Sequence, residues 1–234
     1  MRFNEIQSRN QLADFLDIQR KTLTYVLFEA KVDSFYSSFD IPKKDGSPRH
    51  IFAPSGPLKM IQRKLADALY EYQKQIRGEE NIKANISHAF EKNKSIISNA
   101  KIHKNKRFVF CIDLNDFFNM FHFGRVLGYF SSNRYFKLPK EVAVTISQVA
   151  CYKGVLPQGA PSSPIITNLI CQTLDMHVLK IAKKYKNNPR KRPLDQTERK
   201  KQASMEASID NSQPEYYILN YKNGNIKATG YIFK

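Results

Sequence analysis

Residues 107–118 have the sequence RFVFCIDLNDFF. A continuous apolar run bounded by charge is typical of a strand buried on both faces, so we predict a strand at 107–113. This strand ends in a carboxylate, Asp113, and Asp116 follows three residues later. Oxygen ligands at such a position suit Mg²⁺, but an Asp that caps the start of a helix would leave the same pattern. The stretch therefore predicts a buried strand and leaves the role of Asp113 open.

A loop rich in proline and glycine follows at residues 154–164, with the sequence GVLPQGAPSSP. Its Ser-Ser-Pro end predicts the start of a long helix. The apolar residues of that helix recur at helical spacing, and they are Leu169, Ile170, Leu174, Val178 and Ile181. An ordinary turn would tolerate this density of Pro and Gly, but Gln158 in the middle of a stiff loop favours a role in positioning a planar partner.

Flanking segments supply further helices and two hairpins. The predicted elements are one or two helices within 10–30, a hairpin of strands at 34–41 and 49–52 with a basic tip, a helix from residue 57, a short helix near 95–100, a helix at 140–152, and a hairpin at 216–233 around Asn223-Gly224. Residues 187–213 are polar and show little apolar periodicity, so we expect them to be flexible or to lie on the surface.

The chain of 234 residues carries 38 Lys and Arg against 21 Asp and Glu, a formal net charge of +17. Such an excess favours a polyanionic partner, above all a nucleic acid, although a basic pI that serves solubility alone is the alternative. Residues 187–234 hold only 9 basic and 5 acidic residues, so most of the excess lies in residues 1–186.

Composition also indicates an intracellular protein. No stretch approaches the roughly 18 apolar residues of a membrane span, and no secretory signal is visible at the N-terminus. The three cysteines are odd in number and lie within apolar stretches, which argues against a disulfide framework or a zinc site.

Taken in order, these motifs closely resemble those of retron-type bacterial reverse transcriptases. Residues 112–118 with 124–126, and 156–164 with 168–169, resemble the first two palm motifs, and 41–63 resembles the fingers. The resemblance implies an α+β fold with fingers and an incomplete palm, in which helices pack on a small antiparallel sheet. It implies four regions: N-terminal helices and fingers at 1–106, a partial palm at 107–186, a basic replacement segment at 187–215, and a terminal hairpin at 216–234.

The resemblance implies a role for individual residues around the incoming nucleotide. Asp113 would be the first metal-binding aspartate and would ligate two Mg²⁺ ions, with the main chain at Leu114 beside the triphosphate. Phe118 would block a ribose 2′-OH. The alternative is that Phe118 is an ordinary core residue. The remaining nucleotide-binding residues would be Lys43 or Lys44 with Arg49, which suit a triphosphate, and Gln158 with Gly159, which would shape the pocket against the templating base. The alternative to a role in nucleotide binding is that the two lysines lie in a solvated turn and that Arg49 is a surface charge at a strand edge.

The partners that the resemblance implies are a structured RNA template and primer, an RNA–DNA hybrid and a dNTP. The resemblance also implies a protein of the bacterial cytoplasm that makes no membrane contact and has a role in antiviral defence. The residues expected to contact nucleic acid are Lys59, Arg63, Arg125, Ser162, Ser163, Asn168, Thr229 and Gly230.

The sequence departs from the family at the second catalytic motif. Retron enzymes carry a Tyr-x-Asp-Asp hairpin after the long helix, whereas this chain continues as NNPRKR at residues 187–192 and contains no Asp-Asp dipeptide. Residues 221–230 then resemble the post-palm segment that ends in Val-Thr-Gly, with Ala228 in place of Val. We expect the thumb to be absent from these 234 residues, and Ala89 stands before Phe90 where the family usually has Gly.

Two hypotheses follow from this departure. In the first, the chain is part of an RNA-directed DNA polymerase that is inactive alone and becomes active when a second chain or another segment supplies the missing palm and thumb. In the second, it is a non-catalytic protein that binds RNA or an RNA–DNA hybrid.

Overall fold

A computed structural model of the chain describes residues 1–42, 46–80, 87–91, 93–103, 109–114, 117–186, 216–222 and 225–230. The α-helices and strands in these residues are α1 (Arg9–Phe15), α2 (Arg20–Thr24), β1 (Tyr36–Pro42), β2 (Pro48–Pro54), α3 (Gly56–Glu79), α4 (Ile96–His103), β3 (Val109–Asp113), α5 (Phe123–Ser132), α6 (Lys140–Ala150), α7 (Ser163–Lys186), β4 (Tyr216–Lys222) and β5 (Asn225–Gly230). The predicted α+β class is confirmed.

The predicted elements occur near their predicted positions. The helices expected from residue 57, near 95–100 and at 140–152 are α3, α4 and α6, and both hairpins form. The predicted basic tip at residues 43–45, the first two residues of the predicted strand at 107–113, the Asn223-Gly224 turn and the segment 187–215 lie outside the described residues.

The chain forms two compact units, and they cut across the predicted regions. The first unit comprises Met1–Lys92 and Phe117–Thr173, and the second comprises Asn93–Asp116 and Leu174–Lys234. Both units therefore contain residues from the expected fingers side and from the expected palm side of the sequence. The four-region division stays a prediction.

The core of the first unit is built around α3. Pro57 lies in its first turn, where the missing N–H costs nothing, and the apolar stripe from Leu58 through Ile61 and Leu65 to Leu69 is almost fully buried. The same cluster includes buried residues from α6 and from the first turns of α7. Each fully buried aliphatic side chain contributes about 1.5–3 kcal/mol, so this cluster fixes the elements that carry the loops described below.

β1 and β2 pair as an antiparallel hairpin in which Phe39 faces Ile51 and Ile41 faces Arg49. Residues paired directly across two strands lie on the same face, so these four side chains share one face of the hairpin. Phe39 and Ile41 are 49% and 45% exposed, which shows that the distal part of the hairpin projects from the core of its unit.

A buried polar contact holds the base of this hairpin. The fully buried amide Nε2 of Gln62 donates to Tyr36 Oη and to the Val149 carbonyl oxygen, both at 2.7 Å. The Tyr36 ring packs against Tyr152 with ring centroids 4.3 Å apart, and Phe52 packs against Tyr152 at 5.0 Å. Burial raises the pKa of Tyr36 well above the ordinary value for a phenol, so this hydroxyl stays neutral at physiological pH.

The second unit contains a three-stranded sheet of order β3-β4-β5. β3 runs parallel to β4 with Asp113 beside Asn220, and β4 pairs with β5 in an antiparallel hairpin. The predicted small antiparallel sheet is therefore the β1–β2 pair, while the second sheet is mixed. Within the described residues, none of the helices combines the length and the apolar character needed to cross a bilayer.

Candidate nucleic-acid interface

The loop before α7 packs closely on strand β2. Gly159 has φ +112°, and a Cβ atom placed on it would lie 2.8 Å from Ile51 Cγ2 and 2.9 Å from the Phe52 carbonyl oxygen. Only glycine fits this conformation and this approach without a shift of the neighbouring backbone. Because Arg49 and Ile51 share a face of β2, the structure brings Arg49 to the hairpin face on which Gly159 packs.

Gln158 attaches the same loop to the outer edge of β2. Its carbonyl oxygen accepts a hydrogen bond from the Phe52 N–H at 2.8 Å, so this N–H, which β1 does not use, has a partner. The residue is partly buried. Gln158 and Gly159, which lie far from β2 in the sequence, are therefore packed against the strand that carries Arg49.

Phe118 lies in a 3-10 turn at Phe117–Met120 and is partly buried. Its ring contacts Phe117 at 5.4 Å and Phe90 at 6.4 Å between centroids, both in edge-to-face geometry. Phe117 in turn packs on the buried Phe121 at 5.0 Å. Phe118 is thus supported from behind by core aromatics while part of its ring remains accessible, a position that suits a residue lining a binding surface.

Three polar residues around the start of α7 lie inside the first unit. Ser162 and Ser163 are 0% and 1% exposed, and their hydroxyls have no hydrogen-bond partner within the described structure. Asn168 is 7% exposed and donates its Nδ2 to the Ala89 carbonyl oxygen at 2.9 Å. Their expected contact with nucleic acid stays a prediction, and it would require the side chains to become accessible.

The basic candidates of the first unit lie on its surface. Lys59 and Arg63 occupy the exposed face of α3, one helical turn apart. Arg125 is exposed near the start of α5, with its guanidinium 5.1 Å from the centroid of the Phe121 ring. These three side chains can approach a phosphate backbone without any rearrangement of the core.

Sequence patterns alone do not reveal how segment 87–91 is held. The Tyr70 hydroxyl donates to the Phe90 carbonyl oxygen at 2.7 Å. The Arg77 guanidinium binds both oxygens of the Glu91 carboxylate at 3.0 and 3.2 Å, and these side chains are only 18% and 7% exposed. The unusual Ala89 before Phe90 draws attention to the segment, but no local pattern links it to Tyr70, Arg77 or Asn168.

In the second unit, Asp113 ends β3 and Leu114 follows it, 40% exposed. Thr229 and Gly230 lie at the end of β5. Lys43 and Lys44 fall outside the described residues.

The model of the family described as "Reverse transcriptase (RNA-dependent DNA polymerase)" matches residues 41–189, more than half of the chain. The chain belongs to this family. It is 35% identical over 167 residues to the retron Ec86 reverse transcriptase of Escherichia coli, an alignment that covers 69% of this chain and 47% of that relative. It is 32% identical over 197 residues to the retron Mx162 reverse transcriptase of Myxococcus xanthus, covering 77% and 39%. Both relatives support a reverse transcriptase of the retron type.

The matched region of this reverse transcriptase chain contains most of the predicted site residues. It extends from β1 through Arg49, Asp113 and Gln158 to just beyond the end of α7. The β4–β5 hairpin, with Thr229 and Gly230, lies outside it. The chain spans less than half of the length of the two relatives.

A reverse transcriptase fold implies Mg²⁺, and the described residues fit a pair of ions poorly. Asp113 is the one acidic residue in β3, β4 and β5, and its neighbour in the register is Asn220. Among the residues that the structure describes, no three His, Cys, Asp or Glu side chains form a group that could hold a metal ion. One carboxylate can contribute to a magnesium site, but two ions at a reacting phosphate need further oxygen ligands.

Proposed function

We propose that this chain provides the fingers and part of the palm of a retron-type RNA-directed DNA polymerase. It binds a structured RNA template and primer, or an RNA–DNA hybrid, and it adds deoxynucleotides only when carboxylates from outside these 234 residues complete the palm. The observation that carries the proposal is the family match over residues 41–189 together with a sheet whose described strands contain the single acid Asp113.

The proposed nucleotide-binding residues Arg49, Phe118, Gln158 and Gly159 belong to the first unit. Arg49, with Lys43 and Lys44, is proposed to hold the triphosphate, because fixed guanidinium and ammonium groups suit phosphate oxygens. Gln158 and Gly159 are proposed to shape the pocket against the templating base. The packing of Gly159 on β2 supports this, since it fixes the loop to the strand that carries Arg49. Phe118 is proposed to exclude a ribose 2′-OH.

The chemistry is proposed to need Mg²⁺, which lowers the cost of the charge that develops at the transferred phosphoryl group. From this chain, Asp113 and the main chain at Leu114 would contribute to holding the metal. Asp113 is the single carboxylate in the described strands of its sheet, and two ions need further oxygen ligands. We therefore propose that the chain alone is inactive as a polymerase.

A complementation assay tests this proposal. Primer extension on an RNA template with dNTPs and Mg²⁺ is measured for the purified chain alone, and for the chain mixed with a polypeptide comprising the Tyr-x-Asp-Asp region and thumb of the retron Ec86 relative. We expect no extension by the chain alone and extension by the mixture. Asp113→Asn should reduce the mixture's rate by roughly 1,000-fold or more. Extension by the chain alone that Asp113→Asn abolishes would overturn the requirement for outside carboxylates.

The sequence favours one alternative, a protein that binds RNA or RNA–DNA hybrid without chemistry. The specific observation is the absence of any Asp-Asp dipeptide in a chain with a net charge of +17. Binding of a structured RNA is expected under both proposals, with an affinity that falls as salt rises. Failure of every complemented mixture to extend a primer, in the presence of normal binding, would favour the alternative.

A further inference from the structure

Segment 87–91 presents one aromatic ring to solvent from a main chain that is held on several sides. Phe90 is 46% exposed, and its carbonyl oxygen accepts the hydrogen bond from Tyr70. The neighbouring Ala89 carbonyl accepts from Asn168, and Glu91 is paired with Arg77. Side chains from α3 and α7 therefore fix the residues on both sides of Phe90 but leave its own ring partly uncovered.

The backbone at Phe90 is in a costly conformation. Its φ is +57°, in the left-handed region that bulky residues rarely adopt. Such conformations persist where surrounding contacts over-determine them, and they concentrate at ligand-binding sites. The fixed contacts on both sides of Phe90 provide that constraint. A glycine would adopt this backbone at no cost, so the presence of Phe requires a reason other than the fold.

The ring of Phe90 is oriented by Phe118, which it meets edge to face. Among the described phenylalanines, Phe28 and Phe39 are similarly exposed, at 50% and 49%, and the guanidinium of Arg9 lies 4.7 Å from the centroid of the Phe28 ring. Phe28 and Phe90 differ in their described neighbours in a way that matters for recognition: Phe28 has a cation over its face, whereas Phe90 is in edge-to-face contact with Phe118.

We propose that Phe90 is a stacking platform for an unpaired base of single-stranded RNA. A rigid, partly exposed aromatic ring on a strongly basic protein is the combination by which proteins bind single strands, since every base offers a π-face and the charges attract the backbone. This inference rests on the proposed function, because it assumes that RNA reaches the first unit. To the proposed function it adds the position at which an unpaired base is held, and it assigns to the Phe90 ring a contribution to RNA binding by stacking alone.

The test compares a short oligoadenylate with an abasic ribose-phosphate oligomer of equal length, both labelled with fluorescein, by fluorescence anisotropy at low salt. Phe90→Gly should weaken oligoadenylate binding by about 5- to 100-fold, the range found for aromatic residues that stack on bases. Binding of the abasic oligomer should change less than about twofold, because its charges are still bound. Phe90→Trp should restore the affinity for oligoadenylate, and Phe28→Ala serves as the matched control that leaves both affinities unchanged.

Thermal melting separates this role from a structural one. Phe90→Gly relieves the positive φ, so its melting temperature should equal or exceed that of the wild type while its affinity falls. Equal losses on both oligomers, or no loss on either, would overturn the stacking role and leave the proposed function standing. A wild-type chain that binds neither oligomer nor a structured RNA would overturn the proposed function together with this inference.

Discussion

The β1–β2 hairpin and segment 87–91 are held within the first unit in different ways. The hairpin depends on backbone pairing, and its base is fixed by the Phe52–Gln158 hydrogen bond and the close approach of Gly159. Segment 87–91 has no regular pairing in the described structure, and side chains from 14, 20 and 79 residues away along the chain hold it.

This contrast explains why only one of the two regions could be predicted. Alternating residues, a turn and a glycine are local features, and they determine a hairpin wherever one face finds a partner. Hydrogen bonds from Tyr70, Arg77 and Asn168 depend on the packing of α3 and α7 and leave no periodic trace in the sequence. The two regions should therefore fail differently when single contacts are removed.

Removal of Arg77 should have the largest effect. Arg77→Met removes the Arg77–Glu91 ion pair, whose side chains are only 18% and 7% exposed, and we expect the free energy of unfolding to fall by about 3–5 kcal/mol. Arg2→Met is the matched control, because the Arg2–Glu79 pair is 56% and 52% exposed and should contribute less than about 1 kcal/mol. Urea denaturation measures both. Similar small losses in the two variants would show that the buried pair does not hold segment 87–91.

Gly159→Ala tests the hairpin side of the comparison. The new Cβ would lie against Ile51 and the Phe52 backbone at a positive φ, and we expect a loss of about 2–4 kcal/mol. Two other glycines separate backbone strain from close packing as the cause of the loss. Gly154→Ala adds only strain at φ +81°, for a loss of about 1–2 kcal/mol, and Gly128→Ala, in open space on α5, should stabilise the protein by about 0.5–1 kcal/mol. Equal losses at positions 159 and 154 would exclude close packing as the cause.

The sequence predicted the helices and strands better than it predicted the contacts between them. The apolar stripe of α3, the strand that ends at Asp113 and the hairpin around 223–224 follow from periodicity and turn chemistry. The parallel register that places Asn220 beside Asp113 did not follow, because pairing between distant strands is set by tertiary packing. Asn168 illustrates the same limit: the motif predicts its position, and only the structure shows that its amide holds Ala89.

Two partly buried tyrosines extend the comparison to alkaline pH. Burial raises the pKa of both Tyr36 and Tyr70, and at Tyr70 the Glu91 carboxylate adds to the shift. A phenol whose pKa is higher in the folded state contributes stability that is complete below its unfolded pKa of about 10 and is lost as the pH rises through the folded pKa. The Tyr70 hydroxyl donates its hydrogen bond, so its phenolate also loses the Phe90 carbonyl; Tyr36 Oη accepts from Gln62 and can still do so.

Tyr70→Phe should therefore cost about 1 kcal/mol at neutral pH and make the loss of stability above pH 10 less steep. Tyr36→Phe should flatten that loss at least as much, because burial raises the pKa of Tyr36 further than that of Tyr70. Urea midpoints at neutral pH and at about pH 10.5 measure the difference, with Tyr25→Phe, an exposed tyrosine, as the control. A Tyr70→Phe variant whose stability falls in parallel with the wild type would mean that the pKa of this phenol is the same in the folded and unfolded states over that range.

The smallest effects on stability are expected on the exposed face of α3, where the substitutions remove none of the contacts described for the β1–β2 hairpin or for segment 87–91. Lys59→Gln and Arg63→Gln remove charge without removing packing, so each should change the free energy of unfolding by less than about 0.5 kcal/mol. If this face lies along the RNA backbone, each should lower the slope of log affinity against log salt by about 0.7–0.9, since each contact releases about one counterion. Lys21→Gln, at an exposed lysine of α2 with no proposed role, should leave that slope unchanged. A slope that all three variants lower equally would show that RNA is attracted by the overall charge and does not bind this face of α3 in particular.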